Sequence, residues 1–206
     1  MSDKLGRPRD ASLDAAIAAA TESVLLADGY AAVSIDRVAK IAGTTRAAVY
    51  RRVKSRGELV IGLLIHRFGT SPAPDTGDLR EDIEHVQALQ RVFFADAIVR
   101  AGLAGLLSDT YADPTLGTVL YDRFLAPRRH SVAAMLARAA DRGQIAPVDD
   151  PGRISDILTG PLLFRTLVPA IGPIDDALVE TTVNAALNAV SARAVRSSRL
   201  RAARPR

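Results

Sequence analysis

The sequence contains no cysteine among its 206 residues. A disulfide framework and a metal site built on thiolates are therefore both excluded. The absence of cysteine fits a reducing compartment. The first ten residues, M-S-D-K-L-G-R-P-R-D, also lack the apolar segment of a secretory signal. We therefore expect a cytoplasmic protein.

Long apolar runs and alternating patterns are missing as well. The most apolar late stretch, residues 158–174, is interrupted by Arg165, Pro161, Pro169 and Pro173, which makes it a poor membrane span. No segment alternates apolar and polar residues with period two, and no Asn-Gly hairpin occurs, so we expect no sheet. The predicted fold class is all-α, and we expect no membrane partner.

Motifs of catalysis are also absent. The chain has no G-x-S-x-G, no H-E-x-x-H, no glycine-rich phosphate loop and no metal-spaced Cys/His cluster. The three histidines, His66, His85 and His130, are scattered along the chain. We therefore expect no enzyme activity, no cofactor and no metal site.

Residues 34–56 contain two short helical patterns on either side of Gly43. Ser34 is a suitable N-cap for the first pattern, and glycine adopts the left-handed conformation that lets the chain leave one helix and begin another. A small residue, Ala39, permits close packing of the two helices, with Val49 as the matching core residue. This pattern predicts a helix-turn-helix. The alternative is a helical corner of a protein that never touches nucleic acid.

The outward positions of the second helix carry hydroxyls and cations, the groups that contact phosphates and base edges. We assign Arg46, at the start of that helix, to direct readout of guanine, and its alternative is a phosphate contact. The basic N-terminal arm carries Arg7 and Arg9 and is suited to a minor groove, although a disordered, solvated arm is the alternative. The remaining predicted DNA-binding residues are Thr44, Thr45, Tyr50, Arg51, Arg52, Lys54 and Arg56.

Charge is distributed unevenly along the chain. Residues 1–57 hold ten Lys/Arg and six Asp/Glu, residues 58–192 hold eleven and seventeen, and residues 193–206 hold six and none. The first of these segments, which we call the head, is basic, and the second, which we call the body, is acidic. This difference indicates that the head faces a polyanion. The basic end, residues 193–206, is expected to be a disordered tail.

Capping residues and helical periodicity divide the rest of the chain. The pattern S-R-G-E at residues 55–58 is a capping box, which predicts a helix to about Phe68. A Pro/Gly-rich linker follows at 71–77. We divide the chain into a DNA-binding domain at 1–57 with its arm at 1–10, a connecting helix and loop at 58–77, a helical domain at 78–192 and the tail. The predicted helices are about 11–28, 78–101, 102–111, 114–142 with a bend at Pro127, 153–170 and 175–196.

The stretch L-A-D-G-Y-A-A-V-S-I-D-R-V-A-K-I-A-G-T-T-R-A-A-V-Y-R-R-V-K-S-R-G-E-L, residues 26–59, resembles the TetR family of bacterial transcriptional regulators. The shared features are Gly-Tyr after the first helix, an I-A-x-x-A-G core, a tyrosine on the recognition helix and the start of the fourth helix. Residues 121–129 and 160–165 are similar to one C-terminal subclass of that family. The resemblance implies an N-terminal three-helix DNA-binding domain followed by a larger helical domain for ligand binding and dimerisation.

The resemblance also implies roles for single residues. The family tyrosine falls on Tyr50, whose hydroxyl is expected to bond a phosphate, and the family lysine before the fourth helix falls on Arg56. Val49 and Val53 depart from the usual residues but remain apolar. Arg51 and Arg52 replace residues that are often His or Tyr, which indicates stronger phosphate contact or altered base preference. The implied function is a repressor that binds a palindromic operator as a homodimer and is released by a small molecule.

Two further sets of candidates lie in the helical domain. For each apolar member, a place in the internal core is the alternative, and for His130 and Arg165 it is a surface or capping role. The pocket candidates are Phe93, Phe94, Leu107, Tyr111, Phe124, His130, Met135, Phe164 and Arg165. The candidates for a dimer interface of the last two helices are Ile154, Ile157, Leu158, Leu162, Leu167, Val183, Leu187 and Val190.

Overall fold

A computed structural model describes residues 11–70 and 72–202, with side chains as far as Ser191. Two predicted sites, Arg7 and Arg9, lie outside the described residues. In the described part the chain forms ten α-helices and no strand, which confirms the all-α prediction. They are α1 Ala11–Asp28, α2 Ile35–Ile41, α3 Arg46–Tyr50, α4 Arg56–Phe68, α5 Leu79–Ala95, α6 Ala97–Ala112, α7 Pro114–Leu120, α8 Ala126–Asp141, α9 Pro151–Leu167 and α10 Asp176–Ala202.

Side-chain caps begin the helices of the N-terminal third where the sequence predicts them. Ser34 accepts a hydrogen bond from the amide of Arg37 at 3.3 Å and so begins α2. Ser55 accepts from the amide of Glu58 at 3.2 Å and begins α4. Each cap satisfies an amide that the first turn of a helix otherwise leaves without a partner.

The middle of the chain differs from the predicted helices. The chain breaks at Asp96, not near residue 101, because the Asp96 carboxylate accepts from the amide of Ile98 at 2.8 Å and begins α6 there. The predicted helix at 114–142 is divided by a π-helical turn, Tyr121–Leu125. Pro127 follows this turn. Because proline has no backbone N–H, one hydrogen bond of the helix cannot form here, and the chain adopts the wider π turn next to it. The last helix continues to Ala202, beyond the predicted end at 196.

Buried side chains form two clusters. The first contains residues of α1, α2, α3, α4, α6 and α7, among them Leu25, Val49 and Leu106. The second lies among α5, α8, α9 and α10 around Ile83 and Leu158. The first cluster crosses the boundary that we drew between head and body, because α4 packs on both α1 and α6.

The contact between head and body depends on small residues of α6. The ring of Tyr30 is buried against Gly105, where an added Cβ would lie 2.3 Å from a ring carbon. Gly102 likewise leaves space for Leu25, which a Cβ would approach to 3.2 Å. The absence of side chains at these two positions therefore lets the head approach α6 closely. No helix in the described ranges is long and apolar enough to cross a membrane.

Gly105→Ala is expected to destabilise the protein by about 1–3 kcal/mol, the usual cost of overpacking a core. The ring of Tyr30 cannot easily move away, because its hydroxyl is bonded to Asp109 at 2.8 Å. Chemical denaturation measures the loss. The matched control is Gly62→Ala in α4, where an added Cβ meets nothing within 4 Å. Both changes gain helix propensity, so an equal stability of the two variants would contradict the proposed close packing.

Candidate nucleic-acid interface

The helix-turn-helix has the geometry that Gly43 predicts. Gly43 adopts φ +65°, and the amide of Thr44 donates to the carbonyl of Ala39 at 3.0 Å across the end of α2. This pattern is the Schellman motif, which closes a helix when the next residue is left-handed. Thr45 then caps α3 by accepting from the amide of Ala48 at 3.1 Å. Ala39 and Val49 are 3% and 0% exposed, so α2 and α3 pack as predicted.

Cations and hydroxyls lie together on the exposed side of this corner. We call this set the recognition surface. It contains Arg37, Lys40, Thr45, Arg46, Tyr50, Arg51 and Lys54. Arg37 and Lys40, on α2, are absent from the sequence-based candidates. They could have been found from their spacing, because they lie three residues apart on the side of α2 opposite the buried Val38.

Arg46 and Tyr50 form one exposed unit on α3. Arg46 Nη2 lies 3.2 Å from the Tyr50 hydroxyl, and its guanidinium carbon lies 5.2 Å from the centre of the ring. Arg46 Nε lies 2.9 Å from Asp36 of α2, and the side chain of Arg46 remains 62% exposed. The Tyr50 bond and the Asp36 charge raise the pKa of Arg46. The guanidinium is therefore oriented before any partner arrives, yet it is still accessible.

Two predicted DNA-binding arginines pair with carboxylates of other helices of the protein. Arg52 donates from Nε to Asp14 of α1 at 2.6 Å and from Nη1 to the carbonyl of Ala48 at 3.2 Å, and only 19% of its side chain is exposed. Arg56 donates to both oxygens of Asp109 in α6, each at 2.8 Å. In this structure both side chains therefore bind carboxylates of the protein itself.

Arg56, Asp109 and Tyr30 form a compact polar group that we call the latch. The Tyr30 hydroxyl donates to Asp109 at 2.8 Å, and the Arg56 guanidinium lies 5.0 Å from the Tyr30 ring centre. Hydrogen bonding by Arg56 holds the pKa of Asp109 below its usual value, and burial raises the pKa of Tyr30 above its usual value. The carboxylate is therefore charged and the phenol neutral near neutral pH. Tyr30 and Asp109 are 79 residues apart, and no spacing in the sequence predicts their contact.

A second polar contact holds the other end of α4. Arg67 donates to Asp96, the N-cap of α6, at 3.1 and 2.9 Å, and also lies 3.3 Å from Glu22 of α1. Because α4 and α6 run antiparallel, the latch and the Arg67 pair clamp opposite ends of the same two helices. Helix α4 is therefore bonded to α6 at both of its ends.

The predicted pocket residues do not surround one cavity. Phe93 contacts Phe68, Phe94 and Phe124 with ring centres 4.8, 5.0 and 5.6 Å apart, so these rings fill the space between them. The others are dispersed: Met135 is buried in the second cluster, Leu107 packs against the first, and Tyr111, Phe164 and His130 are exposed. Arg165 donates to the carbonyl of Ile171, which is the capping role.

The predicted dimer residues are mostly internal. Ile154, Leu158, Leu162, Val183 and Val190 are each at most 4% exposed within one chain, and Ile157 and Leu187 pack against the second cluster. Apolar periodicity identifies a buried stripe but does not tell whether one chain or two buries it. The large apolar side chains that remain exposed at this end are Phe164, Leu167, Val168 and Ile171.

Comparison with known proteins covers both parts of the chain. Residues 17–69 match the family model described as bacterial regulatory proteins, tetR family. Residues 73–186 match the model described as tetracyclin repressor-like, C-terminal domain. The two matches meet at the linker between α4 and α5.

Relatives match nearly the whole chain. The uncharacterized HTH-type transcriptional regulator Rv1556 of Mycobacterium tuberculosis is 31% identical over 187 residues, which cover 86% of this chain and 91% of that protein. The DNA-binding transcriptional repressor TetR of Mycobacteroides abscessus is 29% identical over 178 residues, or 85% of this chain and 92% of that protein. The crystal structure of the TetR family regulator SCO0332 superposes with a TM-score of 0.69 at 28% identity, covering 87% of this chain and 97% of the other. The helix-turn-helix geometry and these matches agree, and the chain belongs to the TetR family of bacterial transcriptional regulators.

Proposed function

We propose that the protein is a transcriptional repressor that binds a palindromic operator as a homodimer and leaves it when a small molecule binds the body. The observation that carries this proposal is the recognition surface, a cluster of exposed cations and hydroxyls on a helix-turn-helix corner. A relative named a DNA-binding transcriptional repressor supports the direction of control. The site of action would be the bacterial cytoplasm.

Arg46 is the residue that we assign to base readout. It begins α3, is exposed, and is already oriented by Tyr50 and Asp36. A guanidinium can make bidentate bonds to the guanine edge in the major groove. The exposed cations Lys40, Arg51 and Lys54 are suited to phosphates, which position a protein without reading sequence.

The latch connects DNA binding to events in the body. A repressor is released when its effector binds more tightly to a conformation that fits the operator poorly. Because α4 is clamped to α6 by Arg56 and Arg67, a shift of α6 must move α4 and the head with it. We therefore assign Arg56 to this coupling and no longer to a phosphate contact.

The dimer would form through the exposed apolar residues of α9 and the turn after it. Phe164 and Leu167 are 57% and 38% exposed, and Val168 and Ile171 follow them. Exposed positions of α10 carry small uncharged side chains at Ala177, Thr181 and Ala185, together with the charged Asp176 and Glu180. Large exposed apolar side chains on α9 with small residues on α10 suit an interface between identical copies. Two heads held in this way would reach successive major grooves about 34 Å apart.

Arg46→Ala is expected to lose about 1–3 kcal/mol of discrimination between the operator and random DNA, because a bidentate base contact is removed. Arg51→Ala should instead weaken both duplexes alike and reduce the salt slope of binding by about one. Both effects are measured by fluorescence anisotropy over a salt series. The operator is selected from a random pool of duplexes and is expected to be an inverted repeat. Arg153→Ala on α9 is the control. Equal losses on both duplexes for Arg46→Ala would contradict base readout.

Arg56→Gln and Asp109→Asn are expected to have the same effect on operator affinity, and the double variant no more than either, since they break one interaction. Each should also cost up to about 1 kcal/mol of folding stability, because the Arg56–Asp109 pair is partly exposed and solvent screens it. Neither should alter the salt slope. Asp122→Asn, at an exposed carboxylate of the π turn, is the control. A slope lowered by about one in Arg56→Gln alone would instead indicate a phosphate contact.

Phe164→Glu is expected to convert a dimer to a monomer at micromolar concentration, because it places a charge in the apolar interface. Gel filtration with light scattering measures the mass. Leu89→Glu is the matched control, since Leu89 is 51% exposed on α5 and is not among the proposed interface residues. Retention of the dimer in Phe164→Glu and its loss in Leu89→Glu would place the interface elsewhere.

A further inference from the structure

The linker between α4 and α5 is bonded to α8 along most of its length. Four side chains of α8 and the turn after it donate to carbonyls or a carboxylate of this linker. Arg128 donates to the Gly69 carbonyl, Arg138 to those of Ala73 and Pro74 at 3.3 and 2.8 Å, Arg142 to Asp75 at 2.5 Å and Gln144 to the Gly77 carbonyl at 2.5 Å. In the described residues, the linker is therefore held mainly by arginines.

A groove of about 350 Å³ opens between this linker and α8. This volume falls within the range of small-molecule sites in proteins. Its walls are mainly apolar, with Pro72 and Ala73 on the linker and Pro127 and Ala134 on α8. The ionisable side chains of its lining are Arg138 and His130, and no carboxylate lines it. A groove with apolar walls and basic groups is suited to a molecule that is both apolar and anionic.

The cations beside the groove are incompletely satisfied. Arg128 is half-buried with its guanidinium 3.6 Å from the Phe124 ring centre, and it pairs with no carboxylate of the described residues. Its acceptors are the carbonyls of Phe124 and Gly69, and burial lowers the pKa of Arg128 to about 10. Arg138 Nε lies 3.2 Å from Asp75 but is a buried donor without an aligned acceptor. Buried donors of this kind gain free energy when an acceptor reaches them.

We propose that the groove between the linker and α8 binds the effector, and that the effector is an organic anion with a compact apolar body. Its carboxylate or equivalent group bonds Arg138, and its apolar part lies against Pro72, Pro127 and Ala134. This inference rests on the proposed ligand-responsive function and places the site at the linker, not among the middle helices. There the rings of Phe93, Phe94 and Phe124 already fill the space.

Occupation of this groove acts on the head by a short route. An anion that bonds Arg138 competes with the carbonyls of Ala73 and Pro74, so it loosens the linker from α8. The linker begins at Gly69, the C-cap of α4, and α4 packs directly on α1 of the head. The effector therefore favours a position of α4 that differs from the one held by the carbonyl contacts. Its binding free energy then depends on the conformation of the head, as allosteric control requires.

The test measures anion binding to the full-length protein without DNA. Benzoate, 1-naphthoate and decanoate are each compared with the corresponding neutral amide by isothermal titration calorimetry up to millimolar concentration. At least one carboxylate is expected to bind, and its amide to bind at least tenfold more weakly. Operator affinity is measured separately by anisotropy, with and without the carboxylate that binds, and is expected to fall at saturation.

Variants locate the site. Arg138→Gln is expected to weaken carboxylate binding at least tenfold, and Arg138→Lys to restore part of it, because the charge is kept. Ala134→Trp fills the groove without removing a charge and should abolish binding, while Arg153→Gln, an exposed arginine of α9, should leave it unchanged. Circular dichroism checks that each variant is folded.

Three results would overturn the inference: no carboxylate binds, amides bind as tightly as carboxylates, or Arg138→Gln and Ala134→Trp both bind as the parent does. These outcomes are distinct from failure of the proposed function. A protein that binds an operator but no anion would retain the repressor proposal and lose this one. A protein that binds an anion in the groove but no DNA would lose the repressor proposal and the effector role, and would keep only the anion site.

Discussion

The clamping of α4 between α1 and α6 is the constraint on which the rest of the structure depends. One face of α4 buries Leu59, Leu63 and Leu64 in the first cluster, and its two ends are bonded to α6 through Arg56 and Arg67. Without α4 the three N-terminal helices would have too few apolar residues to form a core of their own size. The apolar core of the head is therefore completed by residues of α4 and α6.

The free energy of the polar contacts at the ends of α4 is comparable with a typical coupling free energy between two sites of a protein. Allosteric coupling free energies are typically about 1–3 kcal/mol. A hydrogen bond lost from a partly buried group such as Asp109 costs a free energy of the same order. In the proposed mechanism a ligand therefore does not need to disrupt the core to change DNA affinity. A change in one of the polar contacts at the ends of α4, or in the linker that follows it, would be sufficient.

Local chemistry is the part of the fold that the sequence predicts well. Ser34 and Ser55 each cap a helix by bonding the amide three residues later, and Gly43 turns the chain through its own backbone conformation. These roles can therefore be predicted from spacing alone. The latch is not visible, because Tyr30 and Asp109 meet only after α6 has folded onto the head. Most of the dimer candidates are buried within one chain, and the sequence could not show this for a related reason. Leu158 and Phe164 lie on the same apolar helix, and only the packed structure shows that the first is internal and the second exposed.

The arginines show how position decides the role of a charge. Arg46 and Arg52 are both paired with a carboxylate, but Arg46 is 62% exposed and Arg52 only 19%. Exchange of an exposed pair for a DNA contact costs little, because exposed pairs contribute about 0–1 kcal/mol. Withdrawal of Arg52 would instead break the bonds that this mostly buried side chain makes to Asp14 and to the Ala48 carbonyl, which favours a structural role. Arg128 is the opposite case, since its half-buried guanidinium bonds the carbonyls of Phe124 and Gly69 and pairs with no carboxylate of the described residues, and burial lowers its pKa.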